Sequence, residues 1–221
     1  MSNKNNSRIQ FMKKIRVFHY IFFNYFCKNV VREDQSKVIP YKNAVLEFEP
    51  NSKLYLKGGD LEIGCDKLSG SKAETRVRLR NHAEWKSDGG SKISYGCTLE
   101  VLSDARLDSR YFTMNSDSVI IVGNHMDLGN DVMIARNVVI YDSDFHDLFD
   151  EEGRKLNSST GVKIGDHVWI GTNSMILKGV KIATGSIIAA GTIVTTDVND
   201  KILAGNQNII CEIRKNINWK R

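Results

Sequence analysis

Between residues 164 and 199 the apolar positions recur every six residues. Six consecutive hexads open with a branched aliphatic residue: Ile164, Ile170, Ile176, Ile182, Ile188 and Val194. Their fifth positions are Val168, Ser174, Val180, Ser186, Thr192 and Val198, and Gly, Asn, Asp and Thr crowd the places between. An amphipathic helix does not repeat in sixes, and a simple strand does not carry a turn residue in every six. A β-helix does, one strand and one corner per hexad. The branched residue points into a narrow core, the fifth residue must be small or β-branched near the corner, and Gly, Asn and Asp tolerate the corner backbone. Three hexads close a triangular coil, so Ile164 stacks under Ile182 and Ile170 under Ile188. Each coil touches mainly its neighbours, as in any solenoid.

The same frame runs through Val122, Leu128, Ile134 and Ile140. It fails over 146–163, a stretch with Asp147, Asp150, Glu151, Glu152, Arg154 and Lys155 and no aliphatic ladder, and returns in register at Ile164. A scaffold does not need such an excursion, and function concentrates in such loops. Upstream, hexads from Ile93 and Leu99 are one residue out of phase, which predicts an insertion or irregular corner between about 105 and 121. Residues 28–92 are β-rich without a clean repeat, with strands predicted at 45–48, 54–56, 61–63 and 77–79.

Residues 11–27 differ again. Aromatic and aliphatic side chains dominate, with Lys13, Lys14 and Arg16 at the front. His19 and Asn24 interrupt the apolar run and no small-residue cleavage site follows, which argues against a signal peptide. The segment is too short and polar to span a bilayer. It reads as an amphipathic helix that either caps the open end of the solenoid or lies on a membrane surface. The organisation is therefore an N-terminal polar tail and helix (1–40), a β-helix (41–203) with a loop extruded at about 146–163, and a short C-terminal tail (204–221).

Composition narrows the classes. A net charge of +5 on 221 residues is mild; it suits a polyanionic cofactor or an acidic surface. Lysine and arginine form no nucleic-acid stripe and no nucleic-acid-binding motif is visible. Four scattered cysteines without a C-x-x-C favour reduced thiols in a cytoplasmic protein. His125, His146 and His167 are evenly spaced, but His125 and His167 lie two coils plus one hexad apart. The two therefore fall on different faces, and no metal site is expected.

At the mouth of the excursion stands Tyr141-Asp142-Ser143-Asp144-Phe145-His146. After the loop comes Ile164-Gly165-Asp166-His167-Val168-Trp169-Ile170-Gly171. Over roughly 93–206 this arrangement resembles the hexapeptide-repeat acyltransferases, most closely the maltose/galactoside acetyltransferase-like branch and the bacterial polysaccharide O-acetyltransferases. The resemblance implies an all-β, left-handed parallel β-helix, assembly as a homotrimer with active sites between subunits, and acetyl-CoA as donor. It implies His146 as general base toward a sugar hydroxyl, for which neutral imidazole is suited near physiological pH. Asp142 and Asp144 orient that imidazole, bind acceptor hydroxyls, or simply close their own turns. Trp169 lines the acetyl and pantetheine site or packs at the base of the loop. Thr172, Ala190 and Thr195 match family cofactor contacts, and Lys178 either reaches the phosphates or is a solvated lysine. Two family positions depart: Gln207 and Asn208 stand where proline and lysine are usual, and Thr196 replaces another lysine, which leaves Arg214, Lys215, Lys220 or Arg221 as substitutes. The leading expectation is O-acetylation of a cell-surface polysaccharide or its precursor. The alternatives are N-acetylation of a nucleotide-linked amino sugar, acetylation of a small molecule, and a non-catalytic β-helix scaffold.

Overall fold

Among the residues described by the computed structural model (11–199, 202–207 and 209–215), three parallel sheets wrap a triangular prism. The first contains β1 (Val30–Arg32), β4 (Lys53–Lys57), β7 (Glu84–Asp88), β10 (Arg106–Ser109), β13 (His125–Leu128), β16 (Val162–Ile164) and β19 (Lys181–Ile182). The second contains β2 (Val38–Pro40), β5 (Leu61–Cys65), β8 (Ser91–Ser94), β11 (Phe112–Met114), β14 (Val132–Ile134), β17 (Trp169–Ile170) and β20 (Ile187–Ile188). The third contains β3 (Ala44–Phe48), β6 (Thr75–Leu79), β9 (Thr98–Val101), β12 (Val119–Val122), β15 (Val139–Tyr141), β18 (Met175–Ile176) and β21 (Ile193–Val194). Successive strands visit the three sheets in turn, giving seven coils. β22 (Ile202–Gln207) continues the second sheet and folds back against β23 (Ile209–Lys215) as an antiparallel hairpin.

The hexad logic is visible atom by atom. Ile164 lies opposite Ile182, and Ile170 opposite Ile188. All six hexad-opening residues and all six fifth-position residues of 164–199 are buried. Corners at Asp117, Asp131, Asn137, His167 and Asn173 take positive φ, the conformation short polar side chains tolerate best. Where corners stack closely only glycine fits: a Cβ on Gly171 would come 2.6 Å from the Ala190 nitrogen.

The extra residues predicted between 105 and 121 are present, in the corners around the strands of 106–122. Leu99 pairs with Ile120 and Leu107 with Met126, both a little further along the chain than the regular repeat would place them. The phase shift is therefore spread over slightly longer corners. The first coil begins at Val30, ahead of position 41, because β1 and β2 stack on β4 and β5. At the other end Ala204 still pairs with Ile188.

The helix read over 11–27 is interrupted: residues 11–14 are helical, and the helix restarts after a break at 15–16. Ile15 bridges Tyr41, and the Arg16 N–H donates to the Pro40 carbonyl at 2.8 Å, so α1 runs Val17–Tyr25. It covers the first coil through two side chains. Phe23 packs edge-on against Phe48 at 5.3 Å. The buried Asn24 amide donates to the Val38 carbonyl (2.7 Å) and accepts from the Val38 N–H (2.9 Å), continuing the edge of the second sheet with a side chain. No helix among the described residues is long and apolar enough to cross a membrane.

Candidate active site

The excursion leaves the prism at the edge between the third and first sheets, after Tyr141, and re-enters at Val162. Asp142 forms its threshold. It is fully buried, and its carboxylate accepts from the Gly123 N–H (2.5 Å) and the Asn124 N–H (2.9 Å) of the coil beneath. Burial pushes this carboxyl above the usual range while those N–H groups oppose the shift. Both oxygens are engaged inside the scaffold, so Asp142 closes a corner and does not stand free to bind an acceptor.

Beyond it the loop closes on itself. Phe149 bridges Lys155, Arg154 pairs with Asp150 (2.7 Å) and Glu152 (2.8 Å), and Lys155 pairs with Asp147 (2.6 Å). The acidic run thus finds its cations within the loop.

Asn157 ties the two limbs of the loop together. Its amide nitrogen donates to Asp144 Oδ2 and to the His146 carbonyl, both at 2.8 Å, and its oxygen accepts from the Leu148 N–H at 2.7 Å. Lys178, on the coil above, pairs with the same Asp144 oxygen and approaches the Ser158 carbonyl at 3.4 Å. The Lys178 ammonium, and then the Asn157 amide, hold the Asp144 carboxyl below its ordinary value. Lys178 thus anchors the loop instead of standing free for a phosphate. Asn157 has no signal in the sequence beyond its place in a polar loop.

The backbone segment so pinned carries His146. Phe145, just before it, has φ 62° and stacks edge-on against Tyr141 at 5.1 Å. A left-handed aromatic residue is an uncommon conformation that its surroundings must enforce. The His146 side chain is exposed and makes no hydrogen bond or ion pair with the described residues. Its backbone is held in place while its ring stays accessible.

The remaining candidates fall in two places. Trp169 projects from the outer face of the second sheet, 37% exposed, between Met133 and Ile187. Thr172 and Ala190 lie at the edge between the second and third sheets, where the Gly191 N–H donates to the Thr172 carbonyl at 2.8 Å. Thr195, exposed, follows β21 at the edge that also bears Asp144, His146 and Lys178. In a triangular prism the second sheet lies opposite the edge between third and first. One chain therefore does not bring His146 and Trp169 together. The candidate residues fall into two separate groups.

The other histidines are engaged elsewhere: His125 Nε2 lies 2.8 Å from Asp108 on the first sheet, and His167 Nδ1 2.6 Å from Asp131 at a corner. Among the described residues no group of three or more His, Cys, Asp or Glu side chains is arranged to hold a metal. A cavity of about 610 Å³ on the first sheet, bordered by Tyr55, Lys86, Asp108 and Arg110, includes none of the candidate residues. The side chains of Gln207, Arg214 and Lys215, and residues 1–10, 208, 220 and 221, lie outside what is described.

Coils, corners and extruded loop together define a parallel β-helix of hexapeptide repeats, left-handed like its structural neighbours. Residues 161–196 match the bacterial transferase hexapeptide (six repeats) family. A galactoside O-acetyltransferase of Lactococcus lactis subsp. lactis is 35% identical over 107 residues, 48% of this chain and 47% of that protein. A polysialic acid O-acetyltransferase of Escherichia coli O1:K1 / APEC is 30% identical over 152 residues, 66% of this chain and 45% of that protein. The crystal structure of the polysialic acid O-acetyltransferase OatWY shares the fold, with a TM-score of 0.60 at 22% identity over 84% of this chain and 90% of that one. The chain spans about half the length of the curated relatives it matches.

Proposed function

We propose that the protein is a cytoplasmic, acetyl-CoA-dependent O-acetyltransferase acting on a sugar hydroxyl of a cell-surface polysaccharide or its precursor. The observation that carries this is His146: an imidazole without a partner among the described residues, held at the mouth of the loop by the Asn157–Asp144–Lys178 clamp. A sugar hydroxyl is far too weak an acid to ionise near neutrality. Neutral imidazole takes its proton as the oxygen attacks the thioester carbonyl, and the imidazolium returns that proton to the departing CoA thiolate. Asp144, saturated by Asn157 and Lys178, fixes the backbone there and acts on His146 only indirectly. The names of the relatives support the sugar acceptor and the acetyl group transferred.

The separation of the two groups supports a homotrimer in which His146 and Thr195 of one copy face Trp169, Thr172 and Ala190 of the next. A closed ring of heterologous contacts repeats the same composite site at every interface. Small residues at Thr172 and Ala190 leave the backbone accessible to a pantetheine arm.

The reading is tested by following release of CoA thiol from acetyl-CoA with and without candidate sugars. His146→Ala should lower kcat by about 10²- to 10⁴-fold, the usual worth of a positioned general base. Turnover equal to the unaltered protein would refute the mechanism.

A further inference from the structure

We infer that the α1 end of the β-helix docks on an anionic lipid surface. The helix turns its aromatic stripe outward. Phe18, Phe22, Tyr25 and Phe26 share one face at i, i+4, i+7 and i+8 spacing, and they are 87%, 50%, 61% and 70% exposed. Only Phe23 and Asn24 of this helix are buried. A contiguous aromatic patch of this kind marks an interaction surface, because a monomeric protein gains nothing by leaving it in water.

Charge selects the partner. Ahead of the helix, Lys13, Lys14, Lys42 and Lys67 line a cleft of about 300 Å³, and Arg16, Lys42 and Lys72 line a second of about 510 Å³. Among the described residues the only acids bordering either are Asp66 and Glu74. At the other end of the stripe Arg32 and Lys37 lie 5.5 and 5.6 Å from the Tyr25 ring centre. The loop that supplies Lys67 also presents Leu68, 60% exposed. Aromatic side chains flanked on both sides by cations match the boundary between acyl chains and anionic headgroups. A protein partner or a second copy would need acids placed at both ends. A soluble polyanion would use the cations and leave the aromatic stripe in water.

Docking this way sets the geometry of the site. The loop bearing His146 leaves from the fifth coil, four strand spacings from the first, or about 19 Å along the prism. The base would stand above the membrane at a fixed height, suited to a glycan carried on a lipid. This last step rests on the function proposed above; the docking itself does not.

The test is co-sedimentation of the full-length protein with two kinds of vesicle, phosphatidylcholine alone and a mixture in which phosphatidylglycerol supplies a substantial minority of the lipid, each at low and at high salt. Binding is expected to the anionic vesicles only and to weaken with salt. Replacing Phe18, Phe22 and Phe26 with Ser, or Lys13 and Lys14 with Glu, should each weaken it by at least about tenfold, with the circular dichroism spectrum and elution volume unchanged. Absence of vesicle binding, or binding that survives the Phe→Ser replacements, would overturn the proposal. So would a changed oligomeric state in those variants, which would make the patch a contact between copies. Because vesicle binding is read without turnover, a failed acetyltransferase assay leaves this result standing.

Discussion

At the scale of single residues the account turns on how His146 is held. Asn157 donates to both Asp144 and the His146 carbonyl. Asn157→Ala should lower kcat by about ten- to a hundredfold through a displaced base and leave the KM for acetyl-CoA unchanged. Asn157→Asp, which cannot donate, should behave like the alanine variant; a KM for acetyl-CoA raised along with the loss in kcat would indicate general unfolding of the loop instead. Lys178 gives a pH signature. The folded Asp144 carboxyl is depressed below its ordinary 3.8, so its contribution is present above that value and lost as pH falls through the lower folded one. Protection of the Leu148 amide against hydrogen exchange, which depends on Asn157, should hold from neutral pH down to the ordinary carboxylate range and fall below 3.8. Lys178→Met should move that loss to higher pH.

At the scale of elements, the stack of inward residues supplies the stability. Ile140 lies between Ile120 and Ile176 inside the third sheet, fully buried. Ile140→Ala should cost about 2–5 kcal/mol in chemical denaturation, the range for deleting a packed aliphatic side chain. Stability indistinguishable from the parent would mean that the coils do not share one core. The later coils were legible in the sequence because short corners keep the repeat regular, as in Ile164 and Ile182. The earlier ones were not. Leu54 pairs with Trp85, far beyond one regular repeat, because residues 66–74 bulge between β5 and β6. The rung around Trp85 is hidden in Glu84-Trp85-Lys86-Ser87-Asp88, where the single apolar side chain faces inward and Ser87 shares its face. The excursion at 146–163 was visible as a broken frame, and His146 with it. Asn157 and the role of Lys178 were not, since their meaning lies in contacts between residues distant in sequence that no local pattern encodes. Asp142 reads identically in sequence as ligand or corner, and only its burial decides.

At the scale of the whole molecule, the closed core shields its thiols. Burial pushes Cys65 and Cys97 up to about 12. In the native protein at mildly alkaline pH neither should react with iodoacetamide over hours, and both should label fully in guanidinium, as mapped by mass spectrometry; native labelling of either would show that the prism opens. The larger claim concerns assembly. His146 and Trp169 stand on opposite sides of the prism, so the proposed catalysis needs two copies. Subunit complementation tests this most directly. His146→Ala and Trp169→Ala proteins are each assayed alone, then dissociated together, reassembled in equal amounts and assayed again. Each alone should be nearly inactive, and the mixture should recover about a quarter of the unaltered activity, because one interface in four pairs an intact His146 with an intact Trp169. A mixture that assembles normally and stays inactive would contradict a site shared between copies.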